Sequence, residues 1–249
     1  MIAVMLRRTS REPTGPQDAR DAVFLYMGIL DAYEAVGREL IGPDVLDVHV
    51  LPRMVYYVKE FLPEIFSEES NPDQLVTELR NFLQEFRRNV DRARQVGSAQ
   101  NLSMEDIWKL RAAIFGFESV FIKILGDAAI KNYLFARIAD ILSSYLPQNL
   151  LDSRAPLEKK LTEYANYIRN NKFVKYARVT VGEDAITVVA NKCAFAKIHD
   201  SDAYRSLHVR FCPWGMIASA IVAAHEGKET NLQSSTFTTR GSVSRLKSR

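Results

Sequence analysis

Most of the residues and motifs that announce a mechanism are scarce or missing in this chain. Two cysteines in 249 residues are too few for the disulfide framework of a small secreted fold. No apolar run reaches the roughly 18 residues needed to cross a bilayer as a helix. The opening stretch MIAVMLRRTSREPTGPQDAR lacks the long apolar core and small-residue cleavage site of a signal peptide, so a cytoplasmic protein is the expectation. There is no phosphate-binding G-x-x-x-x-G-K-[ST] loop, no dinucleotide glycine fingerprint, no H-E-x-x-H pair and no G-x-S-x-G elbow, which removes those enzyme classes. A formal charge of +3 is too small to imply nucleic acid by itself.

What is present is a globular composition, 47% hydrophobic and 25% charged, with its few reactive groups gathered in one place. Residues 185–227, AITVVANKCAFAKIHDSDAYRSLHVRFCPWGMIASAIVAAHEG, hold both cysteines and three of the four histidines. Cys193, His199, His208 and Cys212 run C-x5-H-x8-H-x3-C, a spacing that matches no zinc-finger pattern but supplies the candidate metal ligands of the chain. Pro213 suits the first position of a helix, and the apolar run after it places Cys212 at the N-cap. A sulfur there feels the positive end of the helix dipole, so its thiolate is expected to be favoured. The structural alternative is two reduced cysteines packed in a small core. A Cys212/His208 nucleophile–base pair, and a metal or acid–base site at His199, Asp200, Asp202 and His208, are the enzymatic readings.

Taken in order, a polar lead of about twenty residues comes first. An amphipathic helix follows from Asp21 to Leu40, with Val23, Met27, Leu30, Tyr33 and Val36 on one stripe, and Ile41-Gly42-Pro43 ends it. A second helical segment spans about Asp44 to Phe66 with Pro52 as a kink or restart. Asn71-Pro72-Asp73 starts a third helix reaching about Val96, whose face of mixed charge reads as solvated. Ser103 and Asp106 form a variant capping box for a helix that Leu125-Gly126-Asp127 breaks, and AAIKNYLFARIADILSSYLPQ makes the next. Two of these regions resemble each other at an offset of 84 residues: Gly42, Arg53, Leu62 and Pro63 align with Gly126, Arg137, Leu146 and Pro147. A duplication building a pair of helical hairpins, or a two-fold interface, would leave this trace.

After one more helix over 155–172, period-two patterning takes over. VTV, Gly182-Glu183-Asp184 and AITVVAN predict a β-hairpin. The helix 213–226 is stopped by Gly227, with His225 capping carbonyls in its last turn, and KETNLQSSTFTTRGSVSRLK reads as two strands around Arg240-Gly241. The fold class is therefore α+β: a helical N-terminal half, then a small antiparallel sheet packed with helices. The expected divisions are a lead over 1–20, a helical region over 21–100 and an α+β domain over 101–247. The last ten residues, RGSVSRLKSR, carry Arg240, Arg245, Lys247 and Arg249 without an acid, which reads as a solvated basic tail or, alternatively, a nucleic-acid contact.

The segments VTVGEDAITVVANKCAFAK, VRFCPWGMIASAIVAAHEGKET and STFTTRGSVSRL resemble the C-terminal half of the 4-vinyl-reductase-like domain, a small-molecule-binding family also likened to hydrocarbon-binding proteins. The resemblance implies a sheet against helices that often dimerises and encloses an apolar pocket, which Cys193, His208, Cys212 and Trp214 would line. Some members add a zinc site made partly of cysteines. Cys193 and Cys212 correspond to two of them, but Thr236, Thr238 and Thr239 stand where such members have more, so zinc here would need His199 or His208. Three functions follow: an apolar-ligand-binding or sensing module; an interaction subunit docking on a larger assembly, such as a ribonucleoprotein, through its helices and basic tail; and a cysteine- or zinc-dependent enzyme.

Overall fold

The computed structural model describes residues 16–96, 102–151, 154–193, 198–199, 201–207, 210–238 and 241–248. Its first helix, α1 (Pro16–Ile41), begins within what the sequence suggested was a loose lead and ends where expected, at Gly42. A helical turn, Pro43–Val45, and a five-residue π turn, Leu46–Val50, lead into α2 (Leu51–Phe61). Pro52 sits in the first turn of α2, directly after the π turn, and the backbone on both sides of that junction, at Val50 and Leu51, stays helical. Helix α3 (Pro72–Val96) opens with reciprocal bonds, Gln74 N donating to Asn71 Oδ1 at 3.0 Å and Asn71 N to Gln74 Oε1 at 2.8 Å. Helix α4 (Met104–Ala129) opens with the Ser103–Asp106 box, Ser103 N donating to Asp106 Oδ2 at 2.6 Å. A second π turn, Ile130–Leu134, precedes α5 (Phe135–Ser143).

The two hairpins, α1–α2 and α4–α5, repeat each other's backbone irregularities at the same 84-residue offset. Gly42 (φ 84, ψ 154) and Gly126 (φ 74, ψ 168) occupy one region of backbone space that only glycine enters freely. The π turns at Leu46–Val50 and Ile130–Leu134 are in register, and both second helices run out into Leu-Pro. Equivalent residues also meet: Tyr33 stacks on Phe117 with centroids 6.3 Å apart, and a Cβ added to Gly37 would lie 2.5 Å from Phe121 Cζ. A simple translation would keep equivalent residues apart; their contact is the signature of a local two-fold axis between α1 and α4. In keeping with it, α1 packs on α5 as α4 packs on α2.

Helix α6 (Leu157–Asn170) leads to strands β1 (Val174–Val181) and β2 (Ile186–Cys193), the predicted hairpin. After the short α7 (Asp202–Arg205) comes α8 (Pro213–Glu226), closed by Gly227 in the left-handed region at φ 64. Strands β3 (Thr230–Thr238) and β4 (Gly241–Ser248) complete a four-stranded antiparallel sheet in the order β1-β2-β4-β3. The fold is α+β, as the patterning implied. The basic C-terminal segment is not a solvated tail, because β4 lies between β2 and β3; Arg245 and Lys247 stand on its exposed face, while Arg240 and Arg249 lie outside the described residues.

Two small residues on the inward face of β4 let α8 approach it. Ser242 and Ser244 are buried, and a Cβ on Gly215 would lie 3.0 Å from Ser244 Oγ. Residues 213–222 of α8 are buried on every side, between the sheet, α5 and α6. His225 does not cap its own helix; its Nε2 bonds the carbonyl of Ala155 at 2.8 Å and ties the end of α8 to the start of α6. Two arginines of α3 pack against neighbouring helices: the half-buried Arg87 pairs with Asp31 and Glu34, and the exposed Arg94 lies over the rings of Phe24 and Tyr145. One continuous apolar core runs from α1 through α4 to α8 and β4.

Candidate functional site

Helix α4 is the axis of the interior. Residues 110–122 are buried around its whole circumference, so any charged side chain there must be held by the protein itself. Arg111 and Glu118, two turns apart on one face, are each 1% exposed. Arg111 Nη1 lies 3.6 Å from Glu118 Oε2, an ion pair too long for a hydrogen bond. The other oxygen, Glu118 Oε1, accepts the Phe211 amide at 2.6 Å. Burial pushes the Glu118 carboxyl up to about 7, against the opposing pull of Arg111, the Phe211 amide and Arg210. Burial also pulls on Arg111, but the attraction of Glu118 and of Tyr204, Tyr26 and Tyr33 more than offsets it. The Glu118 direction governs the pair, because a carboxyl escapes burial by taking a proton whereas a guanidinium keeps its charge.

Aromatic rings surround this pair. The Arg111 guanidinium lies 5.8 Å from the Tyr204 ring, and His199 packs tilted against Tyr204 at 4.9 Å and edge-on against Phe237 at 4.7 Å, in a cluster whose other two rings also touch, 5.3 Å apart. Arg210 covers the other side, 5.4 Å over Phe237 and 6.0 Å over Tyr204. Burial, then the charges of Arg111 and Arg210, lower His199 to about 3, so its imidazole is neutral at physiological pH. Burial likewise raises Tyr26, Tyr33 and Tyr204 well above the usual phenol range, which keeps them uncharged hydrogen-bonding groups.

Several polar atoms of this shell are buried without a hydrogen-bond partner: Tyr33 Oη, both terminal nitrogens of Arg111, His199 Nε2 and Trp214 Nε1. Each such group costs about 1–3 kcal/mol, and a charged one more, unless something completes it. Trp214 joins the shell through Tyr26, whose ring meets it edge-on at 5.6 Å and whose phenol feels Cys193, Arg111 and Cys212.

Of the residues singled out from sequence, Cys193, His199, Cys212 and Trp214 fall within or beside this one interior region, and His208 lies outside the described residues. Cys212 is the N-cap of α8, as expected. Its thiol is not activated, however. Burial pushes it up to about 11, outweighing the Ser242 hydroxyl, which donates to Cys212 Sγ at 3.0 Å, and the backbone N–H groups of Gly215 and Trp214; the charge of Cys193 pushes the same way as burial. The helix terminus acts as foreseen, but 4% exposure decides the outcome. Neither cysteine is in a disulfide, and among the described residues no three His, Cys, Asp or Glu side chains come together as a metal would need. The sequence reading missed Arg111, Glu118, Tyr33 and Tyr204 as site residues. The signal was available in one respect: LRAAIFGFESVF carries two opposite charges seven residues apart in an otherwise apolar stretch of helix.

Comparison with protein-family models, with curated proteins and with solved structures found no match to this chain.

Proposed function

We propose that this protein is a non-enzymatic module that binds an apolar small molecule in the shell between α1, α4, α7, α8 and the sheet. The observation that carries this reading is the convergence on a ring-lined interior of buried polar groups whose atoms lack a hydrogen-bond partner: Tyr33, Arg111, His199 and Trp214. Ligand sites are mostly apolar surfaces with a few placed polar groups, which is the composition found here. The resemblance of 173–247 to the 4-vinyl-reductase-like domain points the same way. Cys193, Cys212 and Trp214 form the sheet-side wall in this reading, with the Cys212 thiol acting as a neutral wall group rather than as nucleophile or thiolate ligand. Native mass spectrometry of the protein as purified tests it. A retained organic mass that denaturation releases is expected, together with a fall in melting temperature after extraction; a bare polypeptide whose melting temperature extraction leaves unchanged would remove the reading.

A second reading, docking on a larger assembly, draws on the exposed Tyr56 (74%) and Val48 (64%) of the first hairpin and on Arg178, Arg245 and Lys247 along the open sheet face. Salt-sensitive retention of RNA that disappears with Arg245→Glu and Lys247→Glu would promote it over the first.

A further inference from the structure

The charge of the interior is specific enough to say what kind of guest it takes, given the reading of the site as a ligand pocket. An aliphatic or aromatic hydrocarbon would leave the most demanding group in the shell untouched. Arg111 presents two terminal nitrogens without a hydrogen-bond partner, in a side chain 1% exposed. Among the described residues its one buried counter-charge is Glu118, which stands at 3.6 Å and gives one oxygen to the Phe211 amide. Arg210 adds a second guanidinium over Tyr204 and Phe237. Two guanidinium groups thus act on one carboxyl, and the His199 ring that feels both of them is uncharged.

The repeated hairpin indicates that packing alone does not require this arginine. The residue equivalent to Arg111 under the 84-residue shift is Met27, 2% exposed in the core of the first hairpin. The fold thus fills that position with an unbranched apolar side chain of similar reach in one copy and with a cation in the other. A guanidinium fork matches a planar carboxylate with two parallel N–H···O bonds. A dianion such as a phosphate would fit less well, since Glu118 repels its second charge and a single fork cannot repay its desolvation.

We propose that the guest is a monocarboxylic acid with an aromatic or aliphatic body, its carboxylate held by Nη1 and Nη2 of Arg111 and by the Tyr33 hydroxyl, and its body lying against Tyr204, Phe115 and Phe237. Phe115 closes this wall, with its ring centroid 5.4 Å from that of Tyr204. The carboxylate satisfies the guanidinium and the phenol together, and Arg210 at the rim adds attraction.

Isothermal titration of the full chain, stripped of any retained molecule, with two matched pairs tests this: phenylacetate against phenylacetamide, and octanoate against octanamide. At least one carboxylate should bind ten times or more tighter than its amide. Arg111→Met should erase that preference, and Arg111→Lys, which keeps the charge but not the fork, should leave a severalfold preference. Equal binding of acid and amide by the wild type overturns the acid assignment while leaving a pocket in place. Full preference in Arg111→Met overturns the role of Arg111. Binding of neither pair, with no mass retained on purification, overturns the pocket itself. Should Arg111→Met fail to fold, the wild-type comparison decides alone.

Discussion

Replacing Glu118 by glutamine separates two opposite accounts of the buried pair. If the ion pair with Arg111 dominates, the variant leaves a buried guanidinium uncompensated and loses about 3–5 kcal/mol at neutral pH. If burial dominates, the carboxylate is a liability whenever it is ionised. The structure favours the second account: Glu118 rises from 4.5 in the unfolded chain to about 7, because desolvation exceeds the attraction across 3.6 Å. A folded-state pKa above the unfolded one means that the native protein holds its proton longer. Stability from this group is therefore fully present below about pH 4.5, falls as pH rises, and levels off above about 7, a total loss of about 3 kcal/mol. Glutamine mimics the protonated state and can still accept the Phe211 amide. The expected result is a variant close to wild type at pH 4.5 and more stable by about 3 kcal/mol at pH 8. Urea unfolding followed by circular dichroism at pH 4.5, 6, 7 and 8 reads the difference directly. A variant less stable than wild type at pH 8, or a difference that does not change with pH, refutes the reasoning.

The thiols make a second case. With Cys212 pushed up to about 11, roughly one molecule in a thousand carries its thiolate at pH 8, so iodoacetamide should modify the half-buried Cys193 first and Cys212 only on unfolding; comparable rates for the two would contradict the burial argument. Alanine at Gly42 or at Gly126 should cost similar amounts, about 1–3 kcal/mol each, because both backbones occupy the same glycine-only region and an added Cβ meets no atom within 4 Å at either; free tolerance at one of them would break the equivalence of the hairpins in thermal unfolding.

How much of this was legible beforehand can be judged residue by residue. The α1 stripe, the Asn71 and Ser103 caps, the Gly182-Glu183-Asp184 hairpin and the Cys212-Pro213 start of α8 were readable because each depends on neighbours within a few positions. Even the hairpin repeat showed in the spacing of Gly42, Leu62 and Pro63 from Gly126, Leu146 and Pro147, since strained glycines and helix ends leave marks at fixed offsets. The site was only half visible. Cysteine and histidine drew attention to 185–227 by their chemistry, whereas Arg111 and Glu118 looked like ordinary helix charges until α4 proved to be enclosed.

Local physics therefore settled which segments are helices and strands, where they start and stop, and that sulfur would sit at a helix terminus. Only tertiary packing decided what that sulfur does, since desolvation is set by every element around a group and opposes the local dipole. The same holds for Arg111: a sequence can place a charge on a helix, but whether that charge meets water or an interior depends on how two hairpins and a sheet close over it.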